Sequence, residues 1–171
     1  QTMAEQQGKV RDAGLWFEDF TVGDVWQHPQ GRTVTTTDNI WFTNLTMNTN
    51  PVHYDHFYAA QTEFKQPLVN SAFTLALVTG LTVGDLSQHA FANLGWDEVR
   101  LPAPVFEGDT LYAQSEVLST RASQSRPNVG IVGVRSVGYN QHGVTVIEYK
   151  RTIMVFKRGM GPVIPRPEPQ R

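Results

Sequence analysis

No cysteine occurs in the chain. That excludes disulfides, thiolate metal sites and cysteine nucleophiles together. No apolar run approaches the roughly 20 residues needed to span a bilayer, and none stands near the N-terminus. A cytoplasmic protein without a membrane partner is the expectation. The formal net charge is only -2, so bulk charge attracts neither nucleic acid nor an anionic surface. Any phosphate-bearing ligand has to be met by a local basic cluster. Glycine-rich phosphate loops, G-x-S-x-G elbows and H-E-x-x-H pairs are absent too.

What is present fits one globular domain. The chain has 171 residues, with 40% apolar and 18% charged, enough to bury one core but short for two. The polar, aperiodic stretch 1–14 is expected to be disordered, with Met3 as a candidate start. Pro162, Pro165, Pro167 and Pro169 forbid a regular element near the other end, so 158–171 reads as a flexible tail. The domain is 15–157.

Within it, helices come first and strands second. Thr36 or Thr37 is positioned to cap a short helix carrying Ile40, Trp41 and Leu45, which Asn50-Pro51 breaks. Asp55 is placed to cap a second one through Phe57, Ala60 and Phe64, ended by Pro67. The segment from Ser71 to about Asp85 is apolar all round, with Ala72, Ala76 and Gly80 small. It reads as a buried central helix that another element approaches closely. Then the period becomes two. Leu111, Ala113, Ser115 and Val117 share one face, as do Ile147, Tyr149, Ile153 and Val155, and a run from Ile131 to Tyr139 lies between. Asn140 to Gly143 reads as the hairpin loop. The fold class is α+β, with one face of an antiparallel sheet covered by helix.

The segment richest in chemistry is Asn48-Thr-Asn-Pro-Val-His-Tyr-Asp-His56. Spacing alone leaves its roles open. Asp55 suits a helix cap and His56 a solvated first turn. His53 is a functional candidate with an ordinary loop histidine as the alternative. His53 and His56 at i, i+3 suit a metal, but partners are sparse elsewhere, so no metal site is expected. His28 and His89 stand in no motif, and His142 sits on the hairpin tip.

Asn50-Pro51-Val52-His53-Tyr54-Asp55 resembles the G-D-x-N-P-[IV]-H-x-D signature of the MaoC-like (R)-specific enoyl-CoA hydratases and dehydratases. Phe64-Lys-Gln-Pro67-Leu-Val-Asn-Ser71 resembles their F-x-x-P-[IL]-[AV]-x-G stretch. Phe17 to Asp24 resembles their opening strand, and Pro104 to Leu111 their P-V-F-x-G-D-x-L segment. The resemblance runs in order from about Phe17 to Phe156. It implies a single hot-dog domain, a long helix wrapped by antiparallel sheet, working as a homodimer on an acyl-CoA thioester. It implies no redox or metal cofactor.

The resemblance also assigns roles. The family pairs an aspartate with the histidine to move protons during water addition, and binds the thioester oxygen at a backbone N–H where the central helix starts. Those positions are Asn48, His53 and Ser71 here. Asn50 and Asn70, beside them, are substrate-binding candidates. Serine still supplies the N–H, but asparagine cannot accept a proton. His53 then serves as sole base and returns the proton as acid, with Asn48 holding the water, and Asp55 or Glu63 as substitute bases. Arg121 and Arg126 are candidates for the coenzyme A phosphates, with simple solvation of a strand end as the alternative.

Asparagine at position 48 also suits a substrate with its own carboxylate. Two like charges about 4 Å apart repel by ~4 kcal/mol at an effective dielectric of about 20. A short dicarboxylic enoyl-CoA, such as itaconyl- or mesaconyl-CoA, is therefore the expected substrate, with Arg32 a candidate partner for its carboxylate. The alternatives are an acyl-CoA thioesterase and a non-catalytic acyl-CoA-binding or partner subunit.

Overall fold

The computed structural model describes residues 11–167. The outer parts of the proposed disordered segment and tail, 1–10 and 168–171, lie outside the described residues. A 3-10 turn at Phe17–Asp19 leads into β1 (Val25–Gln27) and β2 (Arg32–Thr33). Helix α1 (Thr36–Leu45), a 3-10 turn at Pro51–His53, α2 (His56–Gln61) and α3 (Ser71–Thr82) follow. A π-helical turn at Val83–Ser87 continues α3. Strands β3 (Ala90–Arg100), β4 (Thr110–Ala122), β5 (Val129–Tyr139) and β6 (Thr145–Phe156) complete the fold. All pairings are antiparallel in the order β1-β4-β5-β6-β3, with β2 also on β4. A long helix wrapped by such a sheet is the hot-dog arrangement.

The alternation read in the sequence is realised. Leu111, Ala113, Ser115 and Val117 are buried on β4, and Ile147, Tyr149, Ile153 and Val155 on β6. Arg151 lies on the same face, also buried, bonded to Asn93 Oδ1 and to the Thr82 and Ser87 hydroxyls. Gly143 has φ +77° in the β5–β6 turn, where Asn140 Oδ1 accepts from the His142 and Val144 N–H groups. Gly138 faces α3 so closely that a Cβ would fall 2.6 Å from Val78, which only glycine allows.

Three expectations are corrected and one unanticipated strand is added. The cap of α1 is Thr35, whose hydroxyl accepts from Asp38 N–H while Asp38 accepts back from Thr35 N–H. Asp55 does cap α2, but α2 stops at Gln61, short of Phe64, with Thr62 closing it onto the Ala59 carbonyl. The central helix is buried along one stripe only, Thr74, Val78 and Thr82, while Ala72, Ala76 and Gly80 are exposed. One sheet wraps one side of it. Finally, β3 is an eleven-residue edge strand that the alternation rule passed over, because register shifts interrupt its pairing with β6.

Candidate active site

The site grows from the end of α1. The Met47 N–H meets the Asn44 carbonyl and the Asn48 N–H the Thr43 carbonyl, closing a Schellman turn with Met47 at φ +55°. Asn48 Oδ1 then accepts from Asn50 N–H at 3.0 Å, and Asn50 Oδ1 from Val52 N–H at 3.2 Å. Pro51 takes the first position of the 3-10 turn, where its missing N–H costs nothing. Two successive Asx turns and a proline thereby aim His53 inward, and its ring is buried.

His53 Nδ1 is 2.7 Å from the Leu68 carbonyl. A carbonyl only accepts, so Nδ1 carries a proton, and in the neutral ring the lone pair falls on Nε2. His53 lines a cavity of about 330 Å³ with Ser71 and Thr74 as the other hydrogen-bonding side chains. Phe64, Leu68, Val69 and the run Leu101 to Val105 form the apolar remainder. Ser71 opens α3, and Asn70 caps that helix through Oδ1 on Ala72 N–H at 3.0 Å. The free N–H groups and positive dipole end of α3 therefore stand beside His53 at one mostly apolar cavity.

Of the residues singled out from sequence, the structure brings His53 and Ser71 together in the wall, with Asn70 directly beneath. Asn48 and Asn50 hold the turn leading to His53 and are not in the lining. Arg32 is forked onto Asp38, two guanidinium nitrogens on two carboxylate oxygens. That hydrogen bonding holds the Asp38 carboxyl down at about 2 and pushes the Arg32 guanidinium up. Arg32 is thus engaged at the start of α1 rather than in the cavity. Arg121 is exposed at the far end of β4, and Arg126 lies 4.8 Å over the Phe91 ring; neither lines the cavity. Asp55 is spent on its cap and Glu63 is exposed outside the lining. Among the described residues no three His, Asp or Glu side chains cluster as a metal site, and no helix is long and apolar enough to cross a membrane.

Sequence reasoning missed Asn39. It is fully buried, and its amide joins the His53 carbonyl, the Leu68 carbonyl and the Asn70 N–H at 2.8, 3.1 and 2.9 Å. The signal was there: asparagine inside a helix is a poor helix former and is seldom placed there for the helix's sake.

A family model described as mesaconyl-CoA hydratase matches residues 2–163. The chain belongs to the mesaconyl-CoA hydratase family. A mesaconyl-CoA hydratase from Cereibacter sphaeroides is 35% identical over 156 residues, which are 91% of this chain and 45% of that protein. A beta-methylmalyl-CoA dehydratase from Chloroflexus aurantiacus is 36% identical over 91% of this chain and 43% of its own length. The crystal structure of a MaoC domain dehydratase from the same organism superposes with a TM-score of 0.82 at 34% identity, covering 93% of this chain and 46% of that one. The chain therefore spans about half the length of these relatives. Membership of this family agrees with the MaoC-like resemblance of the His53 and Ser71 motifs.

Proposed function

We propose that this chain is a hydratase–dehydratase for an enoyl-CoA thioester, with a short branched dicarboxylic acyl group of the mesaconyl kind as its substrate. The observation that carries the reading is the pairing at the cavity of His53, whose Nδ1 is taken up by the Leu68 carbonyl, with the start of α3 at Ser71. A conjugated thioester laid between them meets both demands of water addition. His53 Nε2 removes a proton from water as its oxygen bonds to the β-carbon, and the thioester oxygen takes the developing charge at the α3 N–H groups. The imidazolium then returns that proton to the α-carbon, so one base moves one proton and no net proton is consumed. Dehydration is the same path reversed.

Family support comes from both sides of that reaction, since one relative is named for hydrating mesaconyl-CoA and another for dehydrating beta-methylmalyl-CoA. The protein acts as a homodimer in this reading. Among the described residues β3 is paired on one side only, by β6, and exposes Phe91, Leu94, Trp96 and Val99. It runs directly into the Leu101 to Val105 wall, so a second copy seated on β3 also reaches the cavity mouth.

The test is a panel of mesaconyl-, itaconyl- and crotonyl-CoA, followed by loss of the conjugated thioester absorbance and by free-thiol release. Absorbance loss without thiol, strongest for a dicarboxylic thioester, is the expected result. Thiol release identifies a thioesterase instead, and binding without either change a non-catalytic module.

A further inference from the structure

We infer that Asn39 is a positioning residue that sets the ring tautomer and aim of His53, an inference that rests on His53 being the base of the proposed reaction. Asn39 lies in α1, yet it makes no sense as a helix residue. Asparagine is disfavoured in helix interiors, and a buried amide is unfavourable unless its hydrogen bonds are made. Here they all are. Nδ2 donates to the His53 carbonyl at 2.8 Å and the Leu68 carbonyl at 3.1 Å, with Glu107 Oε1 3.3 Å away. Oδ1 accepts from Asn70 N–H at 2.9 Å. The amide orientation is dictated, because the reversed one sets an oxygen against two carbonyls.

One side chain thus clamps two separate stretches: the turn that carries His53, and the segment 68–70 that holds both the cavity wall at Leu68 and the α3 cap at Asn70. The decisive atom is the Leu68 carbonyl, shared by Asn39 Nδ2 and His53 Nδ1. While Asn39 holds that oxygen in place, His53 keeps its proton on Nδ1 and turns the Nε2 lone pair to the cavity. Without Asn39 the carbonyl and the turn are each short of a donor, and both ring tautomers become available. Thr43, one helical turn on, offers a control. Its hydroxyl accepts from Asn70 Nδ2 at 3.2 Å but has no bond to His53 or Leu68.

Long-range proton–nitrogen NMR of the His53 ring, assigned with His53→Ala, reads this without any substrate. Wild type is expected to show Nδ1 protonated and Nε2 bare. Asn39→Ala, and the isosteric Asn39→Asp in case alanine fails to fold, should show averaged ring nitrogens. Thr43→Val should keep the wild-type pattern even where it lowers stability. On whichever enoyl thioester the wild type hydrates, Asn39→Asp should lose about tenfold or more in kcat while KM moves by less than about threefold. A wild-type ring pattern in a folded Asn39→Asp overturns the inference, and so does averaging in Thr43→Val to the same degree. Because the ring pattern needs no turnover, it succeeds or fails independently of whether the protein is a hydratase.

Discussion

The His28 ring is held between Asp85 and Ser115, with Nδ1 2.6 Å from the Asp85 carboxylate and Nε2 3.0 Å from the Ser115 hydroxyl. Ser115 meets Ser136 at 2.7 Å, and Ser136 stands opposite Tyr149 in register, whose hydroxyl reaches Thr79 on α3. Burial pushes the Tyr149 hydroxyl up, so it stays neutral and able to donate. The row crosses three strands and divides the core. Val34, Val69 and Leu111 belong to the apolar cluster on one side, and Phe20, Leu86 and Ile153 to that on the other.

Cutting this belt is expected to damage stability rather than turnover. His28→Ala removes a buried ring and its two hydrogen bonds, to Asp85 and Ser115, which at about 1 kcal/mol per bond predicts a loss of about 2 kcal/mol. Urea unfolding measures it. His28→Ala combined with Ser115→Ala should lose less than the sum of the two singles, because both delete one contact. Additive losses, or kcat falling in parallel with stability at temperatures where the protein is folded, would contradict a purely structural belt.

His53→Ala is expected to behave in the opposite way. General-base removal costs about 100- to 10,000-fold in kcat, whereas the fold loses only one hydrogen bond to Leu68, about 1 kcal/mol. A variant that hydrates the wild type's best substrate at near-normal kcat identifies some other group as the base.

Met47 holds a left-handed backbone at φ +55° with its side chain 86% exposed. In that position glycine is the ordinary choice, and a side chain carries about 1 kcal/mol of strain. Met47→Gly should therefore raise stability slightly, by up to about 0.5 kcal/mol, net of the extra freedom glycine gives the unfolded chain. Thermal unfolding shows this as a Tm rise of about one to two degrees; a clearly lower Tm means that the exposed methionine packs on something in the working assembly.

Much of the fold was legible because it obeys the simple periods. The inward set on β4 and β6 and the hairpin glycine are cases where local and global preferences agree. Strand β3 was not, since its register shifts and Glu98 at φ +51° break the alternation. Helix α1 misled for a different reason. Its buried residues are Asn39 and Thr43, while Trp41 and Leu45 are 69% and 74% exposed. A helix whose inner face is polar reads inside out to any rule that sends apolar residues to the core. The two side chains that line the cavity, His53 and Ser71, were visible as motifs, but the amide that bonds to the segments carrying them was not, because its backbone partners lie 14, 29 and 31 residues away along the chain.

Arg32 and Asp38 give a pH-dependent prediction. The Asp38 carboxyl lies at about 2, mainly through its hydrogen bonds from Arg32, against an ordinary value near 3.9. A depressed carboxylate adds stability that is complete above its unfolded value and disappears as pH falls through the folded one. Arg32→Gln should thus be less stable than wild type at neutral pH, by under about 1 kcal/mol because the arginine is 44% exposed. The gap should close between about pH 4 and pH 2. KM for mesaconyl-CoA should stay unchanged, since the guanidinium is engaged by Asp38; a large KM rise would instead return Arg32 to the role of substrate anchor.

Asn48 carries the last prediction, which concerns charge at the approach to His53. Its Oδ1 accepts from Asn50 N–H, a bond an aspartate keeps, so Asn48→Asp should preserve the turn and the fold. What changes is a negative charge next to a cavity whose lining holds no cationic lysine or arginine. A crotonyl group is neutral and indifferent to that charge, whereas a mesaconyl group brings a carboxylate. At a separation of ~8 Å and an effective dielectric of ~40, two like charges repel by about 1 kcal/mol, about fivefold in kcat/KM. The ratio of kcat/KM for mesaconyl-CoA over crotonyl-CoA should therefore fall about fivefold in Asn48→Asp, and the drop should shrink as salt is raised. A ratio that stays put, or that rises, removes the electrostatic reason for asparagine at this position.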